Sequence, residues 1–214
     1  MLPWIAVLLV ALPTNLSAQA VCDRTPQVRD KLLQMTGATS CGAVTWTQLA
    51  EVGDLNLNRA GITTLKSHDF IGLTNIKYLY LDGNSISELP ELVFRGLGKL
   101  EVLWLGNNSL GSLPEETFRR LHSLRSLLLY SNSLTTLPEQ VFAGLSNLKR
   151  LSLNGNSLGS LPEGVFNGLS NLEWLSLSQN SLSTLPEPIF NGLSNLKRLA
   201  LDANSLSALP GQAF

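Results

Sequence analysis

Residues that carry chemistry are scarce in this chain. Its 214 residues include two histidines, His68 and His122, and two cysteines, Cys22 and Cys41. Neither histidine has a cysteine or acidic cluster at metal-ligand spacing, so no metal site is assigned. Charge of one sign is lacking too: 15 lysines and arginines face 16 aspartates and glutamates. That balance supplies no field to hold nucleic acid or an anionic membrane. No glycine-rich phosphate loop is present, because Gly96, Gly144, Gly168 and Gly192 each follow a phenylalanine rather than opening a helix. One G-x-S-x-G match, Gly155-Asn156-Ser157-Leu158-Gly159, lacks the strand-to-helix elbow that would expose its serine. We therefore expect no enzyme, no catalytic residue and no cofactor.

The only long apolar run is at the start. The stretch from Met1 to Ala20 holds no charged side chain, runs apolar from Trp4 to Leu12, then turns small and polar into Ala18-Gln19-Ala20. This reads as a secretory signal, although no lysine or arginine stands near Met1. A membrane span would need about 20 apolar residues, and Pro13 to Gln19 are too polar for one. Val21 before Cys22 disfavours bacterial lipidation. In an oxidising compartment Cys22 and Cys41 are expected to pair, stabilising the loop they close by about 3 kcal/mol in the chain-entropy model. Two free thiols are the alternative.

What the chain has in abundance is periodicity. Asn84, Asn108, Asn132, Asn156, Asn180 and Asn204 recur at a constant interval of 24. Phe70, Phe94, Phe118, Phe142, Phe166, Phe190 and Phe214 keep the same interval, and so do prolines from Pro90 to Pro210. Each unit reads L-x-x-L-x-L-x-x-N-x-L, as from Leu148 to Leu158, followed by L-P-x-x-x-F-x-G-L. Alternation across Leu151, Ser152 and Leu153 puts leucines on one face of a short strand and variable residues on the other. One such strand cannot bury its leucines alone, so the units must stack, pairing their backbones in a parallel sheet. The asparagine, where the chain leaves the strand, is expected to bond backbone groups of its own and the adjacent turn. The Leu-Pro step excludes helix on the far side, and the phenylalanines fill the interior from that wall.

The unit resembles the leucine-rich repeat family, from about Val52 to the last residue. The resemblance implies an α/β-type solenoid: a horseshoe with a parallel sheet on its concave face and a mostly irregular or 3-10 convex side. Val52 to Ile62 is a degenerate first copy with Ala60 in the asparagine place, giving about seven repeats with the last incomplete. Residues 21–51 are not a repeat. Thr25-Pro26 reads as a helix start, with Val28, Leu32, Leu33 and Met35 on an apolar stripe and Gly37 as the stop. This segment is expected to cap the first coil, and it is similar to the helical caps of secreted bacterial leucine-rich repeat proteins. The four-cysteine cap of vertebrate extracellular members is absent, which favours a microbial origin. Because the sequence stops mid-repeat at Phe214, it is read as a fragment, the alternatives being a last coil that is frayed or one covered by another subunit.

Outward side chains occupy the third, fifth and seventh motif places. All three tyrosines of the chain fall there. Tyr78, Tyr80, Trp104, Leu128 and Tyr130 lie on adjacent coils and are expected to form one patch, an interface anchor for a ligand. Arg150, Trp174 and Arg198 form a second group suited to a cation-over-ring contact or to holding a carboxylate. Asp82 and Asp202 lie five coils apart, too far for an acid–base pair. The expected function is a secreted or surface-displayed scaffold that recognises a protein, or a glycan, on its concave face. The alternatives are a self-associating spacer and a piece of a larger receptor or adhesin. No membrane span is expected in the mature chain, and its oligomeric state is left open.

Overall fold

A computed structural model describes residues 20–211. Met1 to Gln19, nearly all of the expected signal, and Phe214 lie outside the described part. The described residues open on a helical segment at 20–22, after which α1 (Pro26–Thr36) and α2 (Trp46–Glu51), with a 3-10 turn at Cys41–Ala43 between them, precede seven strands of three residues each. These are β1 (Asp54–Asn56), β2 (Tyr78–Tyr80), β3 (Val102–Trp104), β4 (Ser126–Leu128), β5 (Arg150–Ser152), β6 (Trp174–Ser176) and β7 (Arg198–Ala200). They form one parallel sheet in sequence order. Its register is constant: Leu55, Leu79, Leu103, Leu127, Leu151, Leu175 and Leu199 are successive partners. A shift of one residue would turn every leucine to solvent, so the alternating pattern and the register enforce each other.

Leu151 and Leu153 are fully buried, as are the strand leucines from Leu55 through Leu127. Facing them, Phe70, Phe94, Phe118, Phe142, Phe166 and Phe190 stack in a continuous row, with centroids 5.9 to 6.4 Å apart and planes within 15° of parallel. Each buried leucine or phenylalanine contributes about 1.5–3 kcal/mol. The convex side is built of turns closed by i+3 to i bonds, such as Val93 N to Pro90 O and Leu97 N to Phe94 O. Glycine is needed where these turns swing back, with φ 92° at Gly96 and 84° at Gly168.

The asparagine row acts between coils. Asn156 Nδ2 donates to Leu129 O at 3.0 Å and Leu153 O at 2.9 Å, while its Oδ1 accepts from Leu134 N at 3.0 Å. Asn84, Asn108, Asn132, Asn180 and Asn204 repeat the pattern. Each amide thus serves the coil before its own. Ala60 fits this rule, since no coil precedes the first and an amide there would have no preceding coil's carbonyl to meet. A second row, which the motif did not announce, runs along the opposite end of the strands. Asn75, Asn147, Asn171 and Asn195 each donate to a carbonyl 25 residues earlier at 2.8 Å.

The amino-terminal segment covers the first coil. Cys22 and Cys41 form a disulfide, and Val28 and Leu32 of α1 are buried against the array. Met35 departs from the expected stripe. It shares the face of Leu32 but is 42% exposed, because it lines the open cavity between the cap and the first strands instead of packing on the core. Thr25 precedes the helix but makes no side-chain cap bond to it. Its hydroxyl and amide instead donate to the Asp69 carboxylate at 2.6 and 2.7 Å, which also accepts from Lys66 N at 2.8 Å. Arg24, 1% exposed, donates to Asp69 O at 2.8 Å and to Ile71 O. Buried polar groups of both segments are therefore satisfied only when cap and array are joined.

Helix α2 was not foreseen. It carries a capping box, in which Thr45 Oγ1 accepts from Gln48 N and Gln48 Oε1 accepts from Thr45 N.

Candidate concave binding face

Three rows of side chains stand on the open face of the sheet, set by strand alternation. Two of them flank the inward leucine within each strand, and the third lies where the chain leaves it. In coils 2 and 3 the two strand rows carry Tyr78, Tyr80 and Trp104. Tyr78 and Tyr80 lie parallel at 6.4 Å, and the edge of Tyr80 meets Trp104 at 4.8 Å in a T-shaped pair. Tyr78 is 38% exposed and Tyr80, Trp104 and Leu128 are half-buried, so the three rings and the leucine share one apolar surface. Burial, with Asp54 next to it, raises the Tyr80 phenol above its ordinary pKa. It stays protonated, a hydrogen-bond donor at the edge of an apolar surface.

Tyr130 is engaged differently from the other tyrosines. Its hydroxyl donates to Asp82 Oδ1 at 2.6 Å, two coils away. The ring passes over Gly106, where an added Cβ would lie 2.5 Å from ring atoms of Tyr130 and 2.6 Å from the Asp82 carboxylate. Burial, reinforced by the bond to Asp82, pushes the phenol up to about 12. Asn107 Nδ2 also donates to Asp82, at 3.2 Å. This strap stiffens the floor beside the aromatic cluster.

Coils 5 to 7 have another character. The Arg150 guanidinium lies 5.0 Å from the centre of the Trp174 ring, and Arg198 stands on the other side of Trp174 in register. Ser152 and Ser176 of the next row are buried, so the wall there offers its arginines and indole.

The second motif place, just before each strand, adds a charged row outside the positions that alternation singled out. Glu101 lies 3.6 Å from Lys77 and 3.5 Å from Arg125; Glu173 lies 3.0 Å from Lys149 and 2.7 Å from Lys197. Hydrogen bonds from Lys197 and Lys149 hold the Glu173 carboxyl below its ordinary value. The signal was visible in the sequence as Lys77, Glu101, Arg125, Lys149, Glu173 and Lys197 at intervals of 24. Exposed pairs of this kind are screened by water and add little to stability, so the row matters more for the wall's field.

Cavities among the described residues open beside this face. One, of about 640 Å³, lies between the cap and the first strands and is lined by Met35, Gln48, Glu51, Asp54 and Tyr78 among others. Another, about 560 Å³, surrounds Trp174. His68 and His122 lie away from both, on the outer side of the coils, where each ring faces a backbone carbonyl. Among the described residues no group of three or more histidines, cysteines or carboxylates could hold a metal. Among them, too, no helix is long and apolar enough to cross a membrane.

A family model described as a leucine rich repeat matches residues 82–134, 98–158, 123–182 and 171–214, together more than half of the chain. No curated protein matches it.

Proposed function

Because the chain belongs to the leucine-rich repeat family, whose solenoids commonly serve as protein-interaction scaffolds, we propose that it is an exported binding module gripping a protein partner on its concave wall. The observation that carries this reading is the cluster of Tyr78, Tyr80 and Trp104, in mutual ring contact on the open side of the sheet. Packing does not require rings there: Asn56, Ser152 and Ser176 occupy the fifth place in other coils. Partly exposed aromatics beside half-buried Leu128 form the kind of centre on which binding energy concentrates. Export is supported by the apolar, charge-free stretch from Met1 to Ala20 and by the Cys22–Cys41 disulfide, which persists in oxidising compartments.

The test is affinity capture with the immobilised chain from its native surroundings, repeated with the Tyr80→Ala/Trp104→Ala double variant. A specific protein retained by the wild type and lost by a variant of unchanged circular dichroism supports the reading. A glycan in place of the protein would change the ligand class, and capture unaffected by the double variant would place the interface elsewhere.

A further inference from the structure

We infer that the concave wall is divided by charge and orients its partner, Arg150 and Arg198 on either side of Trp174 holding an acidic stretch of the bound protein. This rests on the concave-face reading and adds to it the chemistry and polarity of the ligand.

The division is read residue by residue. On the third, fifth and seventh places, coils 1 to 4 carry Asp54 and Asp82 and no lysine or arginine; coils 5 to 7 carry Arg150 and Arg198 against Asp202 alone. Arg59, one place further along, lies against Gly83 at the turn beside Asp82. Asp202 is engaged by the hydroxyl of Ser178. Of the charges beside Trp174, Lys149 and Lys197 both close on Glu173. Among the described residues no carboxylate lies within ion-pair distance of Arg150 or Arg198. Of the cations around the indole, these two guanidiniums are therefore the ones left without a carboxylate, and they line the open 560 Å³ cavity with Trp174 between them.

Their spacing comes from the sheet. Arg150 pairs with Trp174 and Trp174 with Arg198, placing the arginine backbones two strand intervals apart, about 10 Å. A guanidinium offers a planar fork matched to a carboxylate, and one already seated over an indole loses little freedom on binding. Two carboxylates about 10 Å apart on one ligand would meet both forks. A protein segment fits better than an anionic polysaccharide. A uniformly negative polymer laid along the wall would meet Asp54 and Asp82, whereas a polypeptide can place acidic residues on coils 5 to 7 and apolar or basic ones on the tyrosines.

The test uses the full chain and a fluorescently labelled deca-glutamate peptide, with binding read by anisotropy at about 10 mM salt, where screening is weak. Binding is expected, and Arg150→Ser/Arg198→Ser is expected to weaken it about tenfold. Serine is chosen because Ser126 already stands at that place in β4. Arg150→Lys/Arg198→Lys should recover only part of the affinity, since it restores charge without the fork. Arg95→Ser/Arg120→Ser, which removes two exposed arginines of the convex turns, should leave peptide binding unchanged. The peptide reads the arginine pair and the capture experiment reads the aromatic anchor, so failure of one is distinct from failure of the other. Absence of peptide binding, or equal binding by the serine variant, overturns the inference. Tighter arginine-dependent binding of chondroitin sulfate than of the peptide overturns the assignment to protein.

Discussion

The hydroxyl of Tyr130 reaches Asp82 across an intervening coil, 48 residues back along the chain, because the residue between them in that row is Gly106. A side chain in the middle position would block the ring. The wall beside the aromatic cluster is therefore strapped by a bond that spans two coils, and that strap hangs on a glycine that turns no corner.

Gly106→Ala is expected to expel the ring, since the new methyl would sit 2.5 Å from it. Loss of this bond to a carboxylate should cost about 1.5–3 kcal/mol. Denaturant unfolding would measure that loss, and ultraviolet titration would show the Tyr130 phenol falling from about 12 toward its ordinary 10. An unshifted titration would mean that the strap tolerates the methyl.

The same bond predicts a pH window. The folded-state phenol of Tyr130 is raised to about 12 against 10 in a free chain. A raised folded value contributes stability that is complete below the unfolded value and lost as pH climbs through the folded one. Stability should thus decline between pH 10 and about 12. Tyr130→Phe should flatten that decline in part; Tyr80, whose phenol is also raised, acts in the same sense. Identical pH profiles for wild type and variant would remove Tyr130 from the account.

Asn156→Ala should destabilise the array by about 2–4 kcal/mol, because it deletes two donated bonds and one accepted bond and leaves backbone groups unpaired. Asn156→Asp should do no better. The carboxylate would face the carbonyls of Leu129 and Leu153, which now receive the amide protons at 3.0 and 2.9 Å. Midpoints of urea unfolding compare the two. An aspartate variant close to wild type would show that the acceptor alone matters.

At the cap, Asp69→Ala removes the acceptor of Thr25 N, Thr25 Oγ1 and Lys66 N in a fully buried site. A cost of about 3–5 kcal/mol is expected for breaking such a charged network. Hydrogen exchange should rise first in α1 and the first coil while the amides of β4 to β6 stay protected, as neighbour-limited coupling in a solenoid requires. Uniform loss of protection along the array would contradict this.

Much of this architecture was legible beforehand. Each coil must present the same inward atoms to its neighbours, so Leu151, Asn156 and Phe166 recur at one interval and announce strand, turn and opposite wall. The outward rows were equally readable as positions, and Tyr78, Tyr80, Trp104 and Arg150 stand where alternation puts them. Met35 misled because helical periodicity gives the face of a side chain but not where the packed surface beneath it ends. The pairs around Glu101 and Glu173 lie outside what alternation marks, because it singles out the strand residues and not the one before them.

From its sequence alone this chain was committed to a stack of equal coils with a leucine-lined interior, since no other arrangement buries that pattern. Which outward groups meet was decided only by the folded stack. There Tyr130 finds Asp82 over the gap at Gly106, Lys149 and Lys197 converge on Glu173, and Arg150 settles on Trp174. Such contacts join residues one or two periods apart, and they depend on side-chain reach and on what the coil between them leaves open.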